Sequence, residues 1–177
     1  VWGGGEAGAT TPIRDGSGAV IGTGTAGADG NYSVTLTRPQ TNGETVTATQ
    51  ADPAGNVSGP TTTLAPDLTA PSAPTAVVDA TGTIVAGRGE AGATVTIRDT
   101  SGAVIGTGTV GADGNYSITL TTPQTNGEHL AVTQADAAGN ISPPTTALAP
   151  DITAPDAPTA TVNENGKVVT GTGQPGA

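Results

Sequence analysis

The sequence predicts an all-β chain of tandem antiparallel sandwiches, and three observations carry that reading. Stretches rich in Val, Ile, Thr and Leu alternate in period two with small and polar residues, and no segment shows helical periodicity. Gly, Asn, Asp and Pro punctuate these stretches as turn formers about every 8 to 12 residues. Nearly the whole sequence also repeats at an interval of 84 residues. Gly5-Glu6-Ala7-Gly8-Ala9 returns as Gly89-Glu90-Ala91-Gly92-Ala93 and, altered, as Gly173-Gln174-Pro175-Gly176-Ala177. Gly18 to Thr25 is identical in sequence to Gly102 to Thr109. The stretch from Pro66 to Ala76, with prolines at 66, 71 and 74, recurs almost unchanged from Pro150 to Ala160. Alternating prolines remove backbone donors and favour extended backbone, so each copy reads as a short, stiff connector between repeats.

This frame divides the chain into residues 1–66, a repeat lacking its first strand; 67–150, a complete repeat with its connector; and 151–177, a connector with the first two strands of a third repeat. In the complete repeat the alternation places strand A at about Thr75 to Asp79, B at Thr83 to Arg88, C at Ala93 to Arg98 and D at Ala103 to Thr109. Strands E, F and G follow at Asn115 to Thr121, Glu128 to Ala135 and Ile141 to Leu148. Val95 and Ile97 share a face, as do Tyr116, Ile118 and Leu120, and Leu130 with Val132. The turns are Ala80-Thr81-Gly82, Glu90-Ala91-Gly92, Thr100-Ser101-Gly102, Asp113-Gly114, Asn126-Gly127 and Ala138-Gly139-Asn140. Seven short strands in about 80 residues is the pattern of an Ig-like sandwich. The first repeat opens at Val1, which aligns with Val85 inside strand B. A sandwich missing an edge strand exposes unpaired backbone and apolar surface. The C-terminal strands of one molecule are therefore expected to fill that gap in the next, in head-to-tail self-association.

Composition excludes several function classes. The chain has no Cys, so disulfides and thiolate metal sites are not available to it. Phe and Met are absent too, and aromatic residues are limited to Trp2, Tyr32 and Tyr116, so the cores must be built from Val, Ile, Leu and Ala with one Tyr per repeat. Fifteen acids against five bases give a net charge of −10, which argues against nucleic acid and against anionic membrane surfaces. No apolar run reaches the roughly 18 residues of a membrane span, and no signal peptide opens the chain, so any export signal is expected outside it.

The acids have a pattern. In a seven-strand sandwich alternate loops lie at opposite poles, so Glu90 (loop B–C), Asp113 (D–E) and Asp136 (start of F–G) fall at the pole where the connector bearing Asp67 arrives. Carboxylates about 5 Å apart repel by roughly 3 kcal/mol per pair at an effective dielectric near 20. A cation resolves that conflict. Ca²⁺ accepts six to eight oxygen ligands in forgiving geometry, whereas Mg²⁺ wants a tight octahedron and Zn²⁺ wants nitrogen or sulfur, for which His129 is the one candidate. Asp15, in loop C–D of the preceding repeat, adds an oxygen to this central joint. Asp99 would serve Asp151 in the same way at a second, weaker joint. Glu6, Asp29 and Asp52 form a partial first site without its connector, and Gln174 replaces the Glu in the third copy. Plain turn chemistry is the competing reading. An Asp at the start of a turn caps its own backbone, and Asp-Gly is the favoured type I′ pair. Asp67 discriminates between the two, because a proline-rich connector does not need an acid there.

The run Asp67-Leu68-Thr69-Ala70-Pro71, followed by Gly89-Glu90-Ala91-Gly92-Ala93-Thr94-Val95, Asp113-Gly114-Asn115-Tyr116 and Asp136-Ala137-Ala138-Gly139-Asn140, resembles the bacterial Ig-like repeats of giant, type I-secreted surface adhesins, the biofilm-associated protein family. The resemblance covers essentially the whole chain. It implies an extracellular stalk on the bacterial cell surface, an elongated rod of repeats stiffened by Ca²⁺ at the joints and serving adhesion or biofilm formation. On matching positions it implicates Asp67, Glu90, Asp113 and Asp136. The missing first connector, Pro12 where the second repeat has Thr96, and Gln174 are departures that bear on the outer sites.

Other motifs are weaker. Gly22-Thr23-Gly24-Thr25-Ala26-Gly27 and Gly106-Thr107-Gly108-Thr109-Val110-Gly111 satisfy GxGxxG, but a strand follows instead of the helix a dinucleotide site needs. The sequons at Asn31, Asn56, Asn115 and Asn140 read as turn exits. His129 has no counterpart in the first repeat, which has Thr45 at the aligned position, and reads as a solvated strand residue; Trp2 is assigned no function. No Ser/His/Asp set repeats with the units, and a small-residue core does not shape a substrate cleft, so the chain is read as a non-enzyme. The alternative functions are a ligand-binding module for carbohydrate or host protein, and a spacer of a secreted hydrolase.

Overall fold

The computed structural model describes residues 2–175 and falls into two compact units, Val1–Pro71 with Ala138–Asn140 and Ser72–Ala137 with Ile141–Ala177. Among the described residues all regular structure is β-strand.

In the first unit the strands are β1 (Trp2–Gly4), β2 (Thr10–Arg14), β3 (Val20–Thr25), β4 (Asn31–Ser33), β5 (Thr45–Ala48) and β6 (Thr61–Leu64). They form an antiparallel pair β1-β4 and a four-stranded sheet β3-β2-β5-β6. Among the described residues their core cluster is Ile13, Ile21, Val34 and Val46, with Tyr32, Leu36 and Ala48 packed against it.

In the second unit the strands are β7 (Val77–Val78), β8 (Ile84–Arg88), β9 (Thr94–Arg98), β10 (Val104–Thr109), β11 (Asn115–Thr119), β12 (His129–Ala135) and β13 (Thr145–Leu148). They correspond in order to A through G. A three-stranded sheet β11-β8-β7 and a four-stranded sheet β10-β9-β12-β13 make the two layers. Alternation decides the faces. Val95, Ile97, Leu130 and Val132 are fully buried while Thr94, Arg98, His129 and Ala131 face outward. Tyr116 and Ile118 of β11 and Leu120 just beyond it close the core, as expected. Every strand is shorter than the sequence reading at one end or both: β7 keeps only Val77–Val78 of Thr75 to Asp79, β8, β9, β10 and β12 each start one residue later, and of the rest β11 and β13 differ most. The ladder of β13 begins at Thr145, because Pro143 and Pro144 cannot donate to it; Ile141 makes only an isolated bridge with Ala135. β11 ends at Thr119 as the chain turns toward Pro123.

The glycines of the GxGxxG stretch have a packing role. A Cβ on Gly108 would stand 2.7 Å from Ile118 Cγ1, and one on Gly106 would stand 3.0 Å from Ile118 Cγ2. β10 therefore approaches β11 closely because it lacks side chains there. The Asp113-Gly114 turn is not the type I′ pair expected from sequence. Gly114 has φ +77°, but among the described residues no non-glycine has positive φ, so Asp113 lacks the left-handed conformation that a type I′ turn requires.

Residues beyond the second connector form a hairpin of β14 (Thr161–Val162) and β15 (Val169–Thr170), exposed throughout. The altered third motif ends in Gly176 and Ala177, which lie outside the described residues.

Candidate functional site

Each acid singled out by sequence lies in a loop at a strand end, and in nearly every case its own turn supplies the hydrogen bonds. Asp113 follows β10; its Oδ1 accepts from the Asn115 amide at 3.1 Å and its Oδ2 from Asn115 Nδ2 at 2.7 Å. Asp29 repeats this with Asn31 at 3.0 and 2.8 Å, and Asp52 does so with Asn56 at 2.8 and 2.7 Å. These donors, the asparagine side chain foremost, hold all three carboxyls below the usual carboxylate range. Asp136 heads the corresponding turn after β12 and is partnered as well. Glu6 and Glu90 are exposed in the loops after β1 and β8.

Asp15 and Asp99 cap a second kind of turn. Asp15 Oδ1 accepts from Ser17 N at 2.9 Å, Ser17 Oγ at 2.6 Å and Ala19 N at 3.0 Å. Asp99 makes the same three bonds with Ser101 and Ala103. The serine hydroxyl is the main cause that lowers both carboxyls. Asp15 also pairs with Arg38 and is buried, whereas Asp99, in a repeat that has Thr122 at the position of Arg38, is half-exposed.

Asp67 has a structural task that the sequence did not disclose. It bridges Asn42 across an isolated antiparallel pair, and its Oδ1 accepts the Thr69 amide at 3.1 Å. Leu68 N and Thr69 Oγ1 both donate to the Thr41 carbonyl, at 2.7 and 3.1 Å. The second connector repeats the arrangement within its own unit: Asp151 bridges Asn126, Ile152 N reaches Thr125 O at 2.9 Å and Thr153 Oγ1 reaches it at 3.0 Å. The start of each connector is thus clipped onto the E–F loop of the repeat it leaves. The Asp67 main-chain oxygen also accepts from Asn140 Nδ2 at 3.2 Å, within the first unit.

In the second unit the loops around Glu90 and Asp113 are drawn together. Gly89 N donates to Gly114 O at 3.0 Å. Gln134, 2% exposed, is the organiser. Its Oε1 accepts from Glu90 N at 2.9 Å and its Nε2 donates to Ser72 O at 2.7 Å. The alternation held the signal, since Gln134 is the third inward position after Leu130 and Val132, and a polar residue there must find partners. Asp79, in the A–B turn, was also missed. It accepts from Thr81 Oγ1, Thr83 N and Ile84 N, and these bonds, the threonine hydroxyl first, hold it down to about 2. Asn163 takes its place in the third copy and accepts from Lys167 and Val168 amides.

Among the described residues no three acidic or imidazole side chains come together as a group able to hold a metal ion. The carboxylates present their oxygens to hydroxyls, amides and, once, a guanidinium, which is the chemistry of turn capping. His129 is exposed at the head of β12, and the GxG glycines lie within strands β3 and β10.

Two-layer antiparallel units of this topology, joined by clipped proline connectors, define a chain of Ig-like modules. The chain belongs to the bacterial Ig domain family, whose profile matches residues 1–67 and 70–151. Among solved structures it is similar to the BSP domain of a biofilm-associated protein, at 28% identity and TM-score 0.43 over 84% of this chain. The chain spans 26% of the length of that structure. It is also similar to fibronectin(III)-like modules of CbhA from Clostridium thermocellum (15% identity, TM-score 0.34, 82% of this chain and 78% of that one). The D00-D0 domain of intimin is a third (14% identity, TM-score 0.33, 80% and 78%). No curated protein matches the chain significantly.

Proposed function

We propose that this chain is a spacer segment of a bacterial cell-surface adhesin: a structural module without catalytic activity, exported by type I secretion, whose neighbouring repeats extend a distal binding region from the cell and support adhesion or biofilm formation. The observation that carries the reading is repetition. Two consecutive family matches share long identical stretches at one interval and are joined by connectors held in the same way. A stalk needs many equivalent segments, whereas a recognition site needs one unlike its neighbours. The ligand-binding alternative would call for exposed aromatics, but Tyr116 is buried and Tyr32 packs against its core.

Calcium at the joints is the finer part of the proposal, with Asp67, Glu90, Asp113, Asp136 and Asp15 at the central joint and Asp151 with Asp99 at the next. Residue type and recurrence support it. Against it stands the capping geometry: an ion would have to use the oxygen lone pairs left over by the turns, and the connector clip fixes the joint's first residues without metal.

The test is small-angle scattering and thermal melting of the full chain with and without excess Ca²⁺, alongside Asp67→Ala. Calcium-dependent lengthening and stabilisation of the wild type that is lost in the variant supports the clamped joint. Identical profiles in all four conditions remove calcium and leave the metal-free spacer. A flexible, collapsed wild-type profile in both conditions overturns the spacer reading itself.

A further inference from the structure

Two Asn-Gly pairs, Asn42-Gly43 and Asn126-Gly127, lie inside the connector clips. Asn42 stands opposite Asp67 as a non-hydrogen-bonded pair, flanked by two main-chain bonds: Leu68 N to Thr41 O at 2.7 Å and Gly43 N to Pro66 O at 3.4 Å. In the second unit Asn126 stands opposite Asp151, between Ile152 N to Thr125 O at 2.9 Å and Gly127 N to Pro150 O at 3.2 Å. The glycine bond is the longer one in each clip. Gly43 and Gly127 have φ of +69° and +70°, and both asparagines are exposed.

Asparagines elsewhere are held differently. Asn31, Asn56 and Asn115 donate their side-chain amides to Asp29, Asp52 and Asp113, and Asn140 donates to Asp67 O. They precede Tyr32, Val57, Tyr116 and Ile141, whose side chains crowd the next main-chain nitrogen. At Asn42 and Asn126 the donor engaged among the described residues is the main-chain amide, which reaches Glu44 and Glu128 Oε2 at 2.8 Å each. A glycine that follows has no Cβ, so its nitrogen can reach the asparagine side chain. In that reaction Gly43 N loses its proton to hydroxide and bonds to Asn42 Cγ. The Cγ–Nδ2 bond breaks, and the nitrogen takes a proton from water and leaves as ammonia, giving a cyclic imide. Water then opens the imide at either carbonyl to leave aspartate or isoaspartate, with no oxidant or reductant consumed. The nucleophile is the same nitrogen that binds Pro66 O. A closed clip blocks the reaction and an open one permits it.

We propose that Asn42-Gly43 and Asn126-Gly127 are deamidation sites gated by the connector clips, and that each conversion releases its connector. The carboxylate formed at position 42 stands directly across from Asp67, where like charges oppose pairing, with Glu44 beside it. The isoaspartate form also adds an atom to the backbone and moves Gly43 N out of register with Pro66 O. An opening that ends in conversion makes the next opening easier. The change is one-way and accumulates with the time a connector spends unclipped.

The experiment is peptide mapping by mass spectrometry of the full 177-residue chain aged at mildly alkaline pH, beside Thr69→Ala and Asn42→Gln. Both positions are exposed, so neither change unfolds a unit. Thr69→Ala loosens the first clip alone, and Asn42→Gln keeps a neutral amide whose longer side chain cyclises slowly. Asn42 and Asn126 should convert well ahead of Asn31, Asn56, Asn115 and Asn140. Thr69→Ala should speed Asn42 about fivefold and leave Asn126 and Asn165 at the wild-type rate. Hydrogen exchange at the Leu68 amide should be about fivefold faster in the aged wild type than in the fresh chain, while aged Asn42→Gln matches its fresh state. Conversion at Asn42 no faster than at Asn31 overturns the proposal. So does a Thr69→Ala chain in which Asn42 and Asn126 accelerate alike or not at all, and so does an aged, converted wild type that keeps Leu68 protected.

Discussion

Gln134 and Ser72 are joined by a 2.7 Å hydrogen bond from the buried side-chain amide to the connector carbonyl, while the same amide's oxygen receives Glu90 N at 2.9 Å. One side chain thereby fixes the connector and the B–C loop to β12. Truncating it leaves a carbonyl and an amide without these partners in a dry setting. Gln134→Ala should destabilise the second unit by about 2–3 kcal/mol in chemical denaturation. Its counterpart Gln50 is only half-buried and holds Glu6 N and Thr11 Oγ1 at 3.3 Å each. Gln50→Ala should cost less than about 1 kcal/mol.

The two units should not melt together. Among the described residues the second has twelve buried residues in its core cluster and the first has four. Ile97 and Ile13 occupy the same position in β9 and β2, and both are 0% exposed. Calorimetry should resolve two transitions, with Ile13→Ala lowering the earlier and Ile97→Ala the later. Each change removes a buried side chain worth about 2–5 kcal/mol. A single transition moved by either substitution would show one cooperative unit.

The strands of these units were legible because period-two alternation survives a core of small residues: Val95, Ile97, Leu130 and Val132 each face inward as the pattern requires. The sites were less so. The loop acids sit where expected, but their partners are residues two to five positions on, such as Asn115 for Asp113 and Ser101 for Asp99. Local capping of that kind looks the same in sequence as a converging cluster. The clip of Thr69 onto Thr41 spans 28 residues and joins two turn segments with no periodicity to reveal it. The inward Gln134 was readable and overlooked.

Stability should fall in acid through these caps. Asp15, Asp29, Asp52, Asp79, Asp99 and Asp113 all titrate below their ordinary range when folded. For a carboxyl whose folded value is depressed, the unfolded chain takes up protons first. The contribution is complete above the unfolded value near 3.8 and is lost as pH falls through the folded one, about 2 for Asp79. Melting temperature should hold from neutrality to about pH 5 and drop steeply below 4. Asp79→Asn, the residue found in the third copy at Asn163, keeps an acceptor for the Thr83 and Ile84 amides but loses the charge; it should lower the melting temperature at neutral pH and make the acid limb shallower.

The alkaline limb belongs to Tyr116. Burial pushes its phenol up to about 12, and the un-ionised hydroxyl donates to Thr75 O at 2.6 Å. A raised folded value means the contribution is intact below the unfolded value near 10 and is lost as pH rises through about 12. Tyr116→Phe should cost about 1 kcal/mol at neutral pH and flatten the loss of stability across that window. If the alkaline limb is unchanged in the variant, another group controls it.

The connector clip can be separated from calcium, because Thr69 carries no charge. Thr69 Oγ1 and Leu68 N share the Thr41 carbonyl, and Thr69 N reaches Asp67 Oδ1. Thr69→Ala removes the hydroxyl donor and leaves every carboxylate in place. Opening of the clip should then be easier by about 1 kcal/mol, read as roughly fivefold faster hydrogen exchange at the Leu68 amide. Asp67→Asn keeps an acceptor for Thr69 N and removes the charge. If the clip alone holds the connector, Asp67→Asn leaves Leu68 protected, Thr69→Ala does not, and added Ca²⁺ changes neither. If a cation holds it, the order reverses: Asp67→Asn loses protection, while Ca²⁺ restores it in Thr69→Ala.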